Sequence, residues 1–188
     1  GHLGEGGLYY NCLDEKEISA ITGLTKLGVH DIPPLVGRGV VIDMAKHMGK
    51  DVLAAGDHFG EAEIKAAATA QGVALGKGDI VLFHTGWTEG KMESDPTAWV
   101  SGEPGISVSG SRYLASLDVM AVGADTWGLE PIPPAPGDGA FYGHVVLLQE
   151  NGIYILETMN TGPLVRDNVT EFMFVLGQAR IRGTVQMI

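Results

Sequence analysis

Apolar and polar positions along this chain fall into short blocks, and the most informative pair lies either side of Asn151-Gly152. Before that pair runs Val145-Val146-Leu147-Leu148, headed by His144. After it runs Ile153-Tyr154-Ile155-Leu156, which delivers Glu157. The second run is β-branched and aromatic and predicts a buried strand. The first fits a helix or a strand equally, and Asn-Gly breaks either because both residues tolerate positive φ. Residues 36–44 predict another strand, interrupted by Gly37 and Gly39, and residues 80–84 and 119–124 predict two more. Two apolar runs of β character, 172–177 and 179–188, close the chain.

Helical signals lie between the strands. Residues 60–72 give the clearest one: Ala-rich, acidic in the first turn and ended by Gly72. Asp14 and Glu17 have capping-box spacing and predict a short helix to about residue 23. Ser107 or Ser109 is placed to cap a helix to about residue 117. Residues 1–11 show no period and read as loop, and 91–102 read as a polar loop with room for one helical turn. Pro33-Pro34 forbids a helix, and the Pro/Gly stretch 130–139 leaves no room for regular structure; it suits a lid or a partner-binding edge. Arg38, between two glycines, reads as a surface charge in preference to an inward ion-pair partner. The alternation predicts one α/β domain over residues 1–188 with a mixed sheet.

Composition narrows the class. The 188 residues suffice for one core, and the 28 glycines follow no period, so the chain is turn-rich and not fibrous. A formal charge of −11 argues against nucleic acid or an anionic membrane as partner. The single cysteine, Cys12, excludes an internal disulfide and a cysteine-based zinc site. No stretch reaches transmembrane length and the start lacks a signal-peptide pattern, so a cytoplasmic location is expected.

Five residues carry the candidate chemistry: His2, His84, Asp125, His144 and Glu157. Imidazole and carboxylate together suit Zn²⁺, Mn²⁺ or Fe²⁺. The plainer reading of His144 and Glu157 is a helix end and a solvated carboxylate. The strand 80–84 ends in His84-Thr85-Gly86-Trp87, where α/β proteins commonly place site residues. The sequence has no G-x-S-x-G elbow, Walker A, G-x-G-x-x-G after a strand, or H-E-x-x-H motif.

Several blocks resemble the cyclase family, which includes bacterial kynurenine formamidase and isatin hydrolase. GDIVLFHTGW (78–87) is similar to the family's G-D-x-V-L-x-x-T-G-W. VGRGVVID (36–43), PGIS (104–107), VGADTWGLEP (122–131) and GHVVLLQENGIYILETMN (143–160) follow the family's order. The resemblance implies a compact α/β fold with a mixed, barrel-like sheet, assembly as a homodimer or homotetramer, and a divalent metal, Zn²⁺ or Mn²⁺. It implies metal-dependent hydrolysis of a C–N amide bond in a small N-formyl or cyclic amide substrate.

Carried over by position, His144 and Glu157 match two metal ligands. His2 matches the last histidine of the family's H-x-G-T-H-x-D-x-x-x-H block, the acid/base. The remaining ligands of that block would precede Gly1, and relatives continue past the C-terminus, so the expectation is a chain shortened at both ends. Trp87 and Trp127 suit the walls of an aromatic pocket or plain core packing equally, His84 suits a pocket or core position, and Asp125 suits a carboxylate behind a ligand or, in preference, a turn cap. His30, His47 and His58 are expected at the surface. Two other readings remain at this stage: a polyketide-type cyclase or dehydratase, and a non-catalytic subunit.

Overall fold

Alternating side chains build the central sheet. In the computed structural model, which describes residues 2–186, five strands form it: β1 (Leu35–Asp43), β2 (Ile80–His84), β3 (Ala121–Ala124), β4 (Tyr154–Leu156) and β5 (Glu171–Leu176). Their order is β4-β3-β2-β1-β5. The first four run parallel and β5 joins antiparallel to β1, so the sheet is mixed, with β4 and β5 at its edges.

Period-two alternation splits the strands between two apolar layers. Val40, Ile42, Val81, Phe83, Val122 and Ala124 face a layer shared with helices α1 (Glu61–Gln71) and α2 (Val108–Ser116). Val41, Ile80, Leu82, Ala121, Leu156 and Phe174 face the other side. Burial of a side chain such as Phe83 or Ile42, each 0% exposed, contributes roughly 1.5–3 kcal/mol. Gly39 has no side chain because the ring of Phe172, its partner across the ladder, occupies that space, 2.5 Å from where a Cβ would sit.

The clearest expected helix forms as α1: Glu63 accepts from Gly60 N–H at 2.9 Å, and Gly72, at φ 73°, ends it. The Asp14–Glu17 capping box also forms, but its helix stops at Ile18, because Ser19–Ala20 turns into a ladder with Gly23–Leu24. Residues 91–102 hold more helix than expected. Segments Trp87–Lys91 and Pro96–Ser101 form, the latter capped by Asp95, which accepts from Ala98 N–H at 3.0 Å, with Pro96 in the first position. Ser107 takes the N-cap position of α2 without a side-chain bond, and the Val108 N–H donates instead to Asp138 at 2.9 Å. The ambiguous run after His144 is helical, with π-type turns over Val145–Glu150.

Arg38 lies at the surface, its side chain 38% exposed, and also reaches a buried partner. Its guanidinium binds Asp79 at 2.9 Å, Glu171 at 2.8 Å and the Ala74 carbonyl at 3.1 Å. Asp79 is 4% exposed and needs that charge. Of the two C-terminal runs only the first forms a strand; residues 179–186 do not, since the antiparallel partner of β1 ends at Leu176, and 187–188 lie outside the described residues. Among the described residues no helix is long and apolar enough to cross a membrane.

Candidate active site

Beyond β3 the chain leaves the sheet, runs through Glu130 and the proline-rich loop, and returns as the helical turn Tyr142–His144. Phe141 begins that turn at φ 55°. Gly143 follows, and only glycine fits: an added Cβ would lie 2.7 Å from the Glu130 carboxyl carbon and 2.8 Å from Ser111 Oγ. That close approach lets one carboxylate take three donors. Glu130 accepts from Gly143 N–H at 2.8 Å, from His144 N–H at 2.7 Å, and from His144 Nδ1 at 2.7 Å. The imidazole is thereby fixed with Nδ1 as donor and Nε2 turned outward.

Nε2 meets Glu157, delivered by β4, at 3.3 Å. His144 is 2% exposed, and burial alone would lower its pKa. The Glu130 and Glu157 carboxylates overcome that and push it up to about 9. The Phe141 ring stands edge-on to the His144 ring at 5.4 Å, and the His2 ring lies 6.0 Å away. Burial and the neighbouring His144 charge lower the His2 pKa, against an upward pull from Glu157. His2 is therefore a neutral base at pH 7.

This pair suits a divalent metal. Two donors about 2.0–2.1 Å from a shared tetrahedral ion stand about 3.4 Å apart, and Nε2 and Glu157 Oε1 are 3.3 Å apart. Glu130 supplies the outer carboxylate that orients metal-binding histidines. Two donors are half a tetrahedral set. Among the described residues no group of three or more His, Cys, Asp or Glu side chains is placed to hold an ion.

The other expected site residues lie elsewhere. His84 is 8% exposed, with Nδ1 2.8 Å from Thr161 Oγ1 and 3.7 Å from Asp125 Oδ2. Asp125 does not stand behind His144. It accepts from Thr85 N–H at 2.8 Å and Thr85 Oγ1 at 2.7 Å, because β2 and β3 end side by side. Burial raises its pKa, opposed by Thr85 and His84. Trp87 is 3% exposed and turned into the core by the bend at Gly86, its backbone N–H donating to Thr85 Oγ1 at 3.2 Å. Trp127 donates its indole N–H to the Trp99 carbonyl at 2.8 Å. None of Trp87, Trp127 and His84 lines the large cavity beside Glu157. That cavity, about 940 Å³, is walled by Tyr9, Tyr10, Tyr154 and aliphatic side chains, and His2 and Glu157 open onto it. Of the three remaining histidines, His47 and His58 are exposed as expected, while His30 is half-buried.

Two residues escaped the sequence reading. Glu130 was hidden in a stretch read as loop, although a carboxylate between apolar Leu129 and Pro131 was a signal. Glu103 is the other. It is 0% exposed, with one oxygen accepting from Trp127 N–H at 2.7 Å and the other unpartnered. Burial pushes its pKa up to about 8, against the pull of the Trp127 and Gly128 N–H groups.

Comparison with known proteins agrees with this architecture. A crystal structure described as a novel cyclase superposes with a TM-score of 0.85 at 27% identity, over 99% of this chain and 63% of that one. Isatin hydrolase A from Ralstonia solanacearum gives a TM-score of 0.64 at 20% identity, over 84% of this chain and 60% of that one. A structure named "Potential Metal-Dependent Hydrolase With Cyclase Activity" gives 0.56 at 20% identity, over 86% and 65%. The chain thus spans less than two thirds of the length of each. No curated protein matches it. The Cyclase family model matches residues 13–131, more than half of the sequence. The chain belongs to the Cyclase family.

Proposed function

We propose that this chain forms the site of a metal-dependent hydrolase that opens a C–N amide bond in an N-formyl or cyclic amide substrate. The observation that carries the reading is the His144 imidazole, fixed at Nδ1 by Glu130 and facing Glu157 3.3 Å from Nε2. Solved relatives named as isatin hydrolase and as a metal-dependent hydrolase support it. Bound at His144 and Glu157, Zn²⁺ or Mn²⁺ would supply an acidified water and a polarised amide carbonyl.

The side chains do the rest. Glu130 keeps Nε2 free for coordination by holding the proton at Nδ1. His2, neutral and beside the pair, accepts the water's proton and returns it to the leaving nitrogen. Phe141 covers one side of the His144 ring and keeps solvent from it.

Metal analysis of the full-length protein with His144→Ala, Glu157→Ala and both changes tests the reading. Loss of tight metal binding in each is expected, and one metal per chain retained in the double variant would sink it. His2→Ala is expected to keep the metal and lose about 10²- to 10⁴-fold in turnover. Uptake of oxygen from labelled water into the product distinguishes hydrolysis from cyclisation, which expels water.

The assembly we propose is a homo-oligomer. Edge strand β5 carries Met173 and Val175, 79% and 59% exposed, beside Val36 on β1 at 56%. An apolar edge without lysine or proline calls for a cover.

A further inference from the structure

The stretch that links His144 to Glu157 also holds the segment that delivers His2. Gln149, five residues after His144, meets the backbone of Glu5 with both ends of its amide. Its Oε1 accepts from Glu5 N–H at 2.6 Å, and its Nε2 donates to the Glu5 carbonyl at 3.4 Å. This copies the reciprocal pairing of a strand ladder, between residues 144 apart in sequence. Glu5 is a firm point to hold. Its carbonyl also accepts from Leu8 N–H at 3.1 Å, closing a tight turn, and the Gly7 carbonyl accepts from Glu15 N–H at 3.1 Å. Among the described residues, no hydrogen bond nearer to His2 than those of Glu5 ties this segment to the rest of the chain.

Helical winding makes Gln149 available. In a regular α-helix a residue five places on is turned by about 140° from the first. The turns over Val145–Glu150 are π-type, and i→i+5 bonding turns residue 149 back toward the side of His144. A second contact secures the segment. At Gly152, φ 65°, an added Cβ would lie 2.5 Å from the Tyr10 ring, so the turn between the two apolar runs seats that ring.

The His2 ring stands 6.0 Å from the His144 ring. Held at Glu5, the arm that carries it is three residues long and reaches at most about 10 Å. Releasing Glu5 moves the last tether to Gly7 and lengthens the reach to about 17 Å. Proton transfer needs hydrogen-bond distance, so the longer arm leaves His2 away from its task for most of the time.

We propose that Gln149 is a positioning residue: it fixes the backbone at Glu5 and so holds the His2 imidazole within reach of a water at the His144–Glu157 pair. The proposal rests on the hydrolase reading for what His2 does, and on these contacts alone for where His2 is held.

The test is Gln149→Met, which keeps the length of the side chain and removes both hydrogen bonds. In the full-length protein loaded with Zn²⁺ and assayed on N-formylaniline, metal occupancy is expected to stay unchanged while kcat falls about 10- to 100-fold. A double-mutant cycle then separates positioning from general damage. In a His2→Ala background the same substitution should cost less than about 2-fold, because Gln149 acts through His2. Equal losses in both backgrounds, loss of the metal, or no loss in either background overturns the proposal. A second readout needs no turnover. In the metal-free full-length protein with isotope-labelled histidine, NMR cross-relaxation between the His2 and His144 rings is expected, and should weaken several-fold in Gln149→Met. If it does so while the formamide is not hydrolysed at all, the positioning stands and the hydrolase reading fails. Cross-relaxation that the substitution leaves unchanged, or that is missing from the unaltered protein, overturns the proposal itself.

Discussion

Glu103 offers a measurement of how the interior treats a carboxyl group. It is 0% exposed, one oxygen has no partner, and its pKa is pushed from 4.5 to about 8. Below pH 4.5 the group is protonated whether the chain is folded or not, and it adds no pH dependence. Between 4.5 and about 8 only the folded chain retains the proton, so stability falls as pH rises. A gap of about 3.5 units at about 1.4 kcal/mol each gives a loss of about 5 kcal/mol, complete above pH 8. That is a large part of the 5–15 kcal/mol typical of a domain. Glu103→Gln keeps the shape of the protonated acid and removes the titration. Its amide can still accept from Trp127 N–H, though its NH₂ lacks an acceptor, a cost of about 1–3 kcal/mol. Urea unfolding at pH 5 should therefore find the variant slightly less stable, and at pH 8.5 more stable, with the curves crossing between. Parallel pH profiles would refute the assignment of a trapped proton to Glu103.

In the metal-free protein the His144 imidazole should titrate near 9 by NMR, and Glu157→Gln should lower that value; titration near 6.5 would deny the two-carboxylate clamp. Because this pKa is raised, the stability it provides is full below 6.5 and lost as pH climbs through about 9. Glu130→Gln should weaken metal binding about 10- to 100-fold by calorimetry, and unchanged affinity would remove Glu130 from the site. Arg38→Met should cost about 1–3 kcal/mol in urea unfolding, discounted because Arg38 is partly exposed. Adding Asp79→Asn should recover part of it; no recovery would mean that the loss is packing and not charge.

Much of the sheet was legible because periodicity and punctuation coincide there. Residues 80–84 form a strand at the expected bounds, with all five side chains buried, and the runs at 36–44 and 153–156 differ at their ends by a residue or so. Glycine at 72 ended α1 for the reason it was expected to. Misreadings occurred where tertiary pairing outweighs local preference. The helix opened by Asp14 is cut short by a ladder between Ser19–Ala20 and Gly23–Leu24. The ion pairs of Arg38 left no local signal because its partners, at 79 and 171, are 41 and 133 residues away.

The site shows the same division more sharply. His144 and Glu157 were visible because they flank a conspicuous pair of apolar runs, and the fold brings them to 3.3 Å. Glu130 was not, because its role depends on a loop folding back so that one carboxylate meets three N–H donors 13 and 14 residues away. Spacing in sequence carries no trace of that return. Burial then separates three chemically identical side chains around one imidazole. Glu130 gives its oxygens to N–H groups and orients the ring. Glu157, with its side chain 26% exposed, faces Nε2 and the cavity. Glu103, wholly enclosed and with one oxygen free, retains a proton near neutrality. The roles differ because the surroundings differ, and those surroundings exist only once the sheet has brought β3, β4 and the His144 turn to one end.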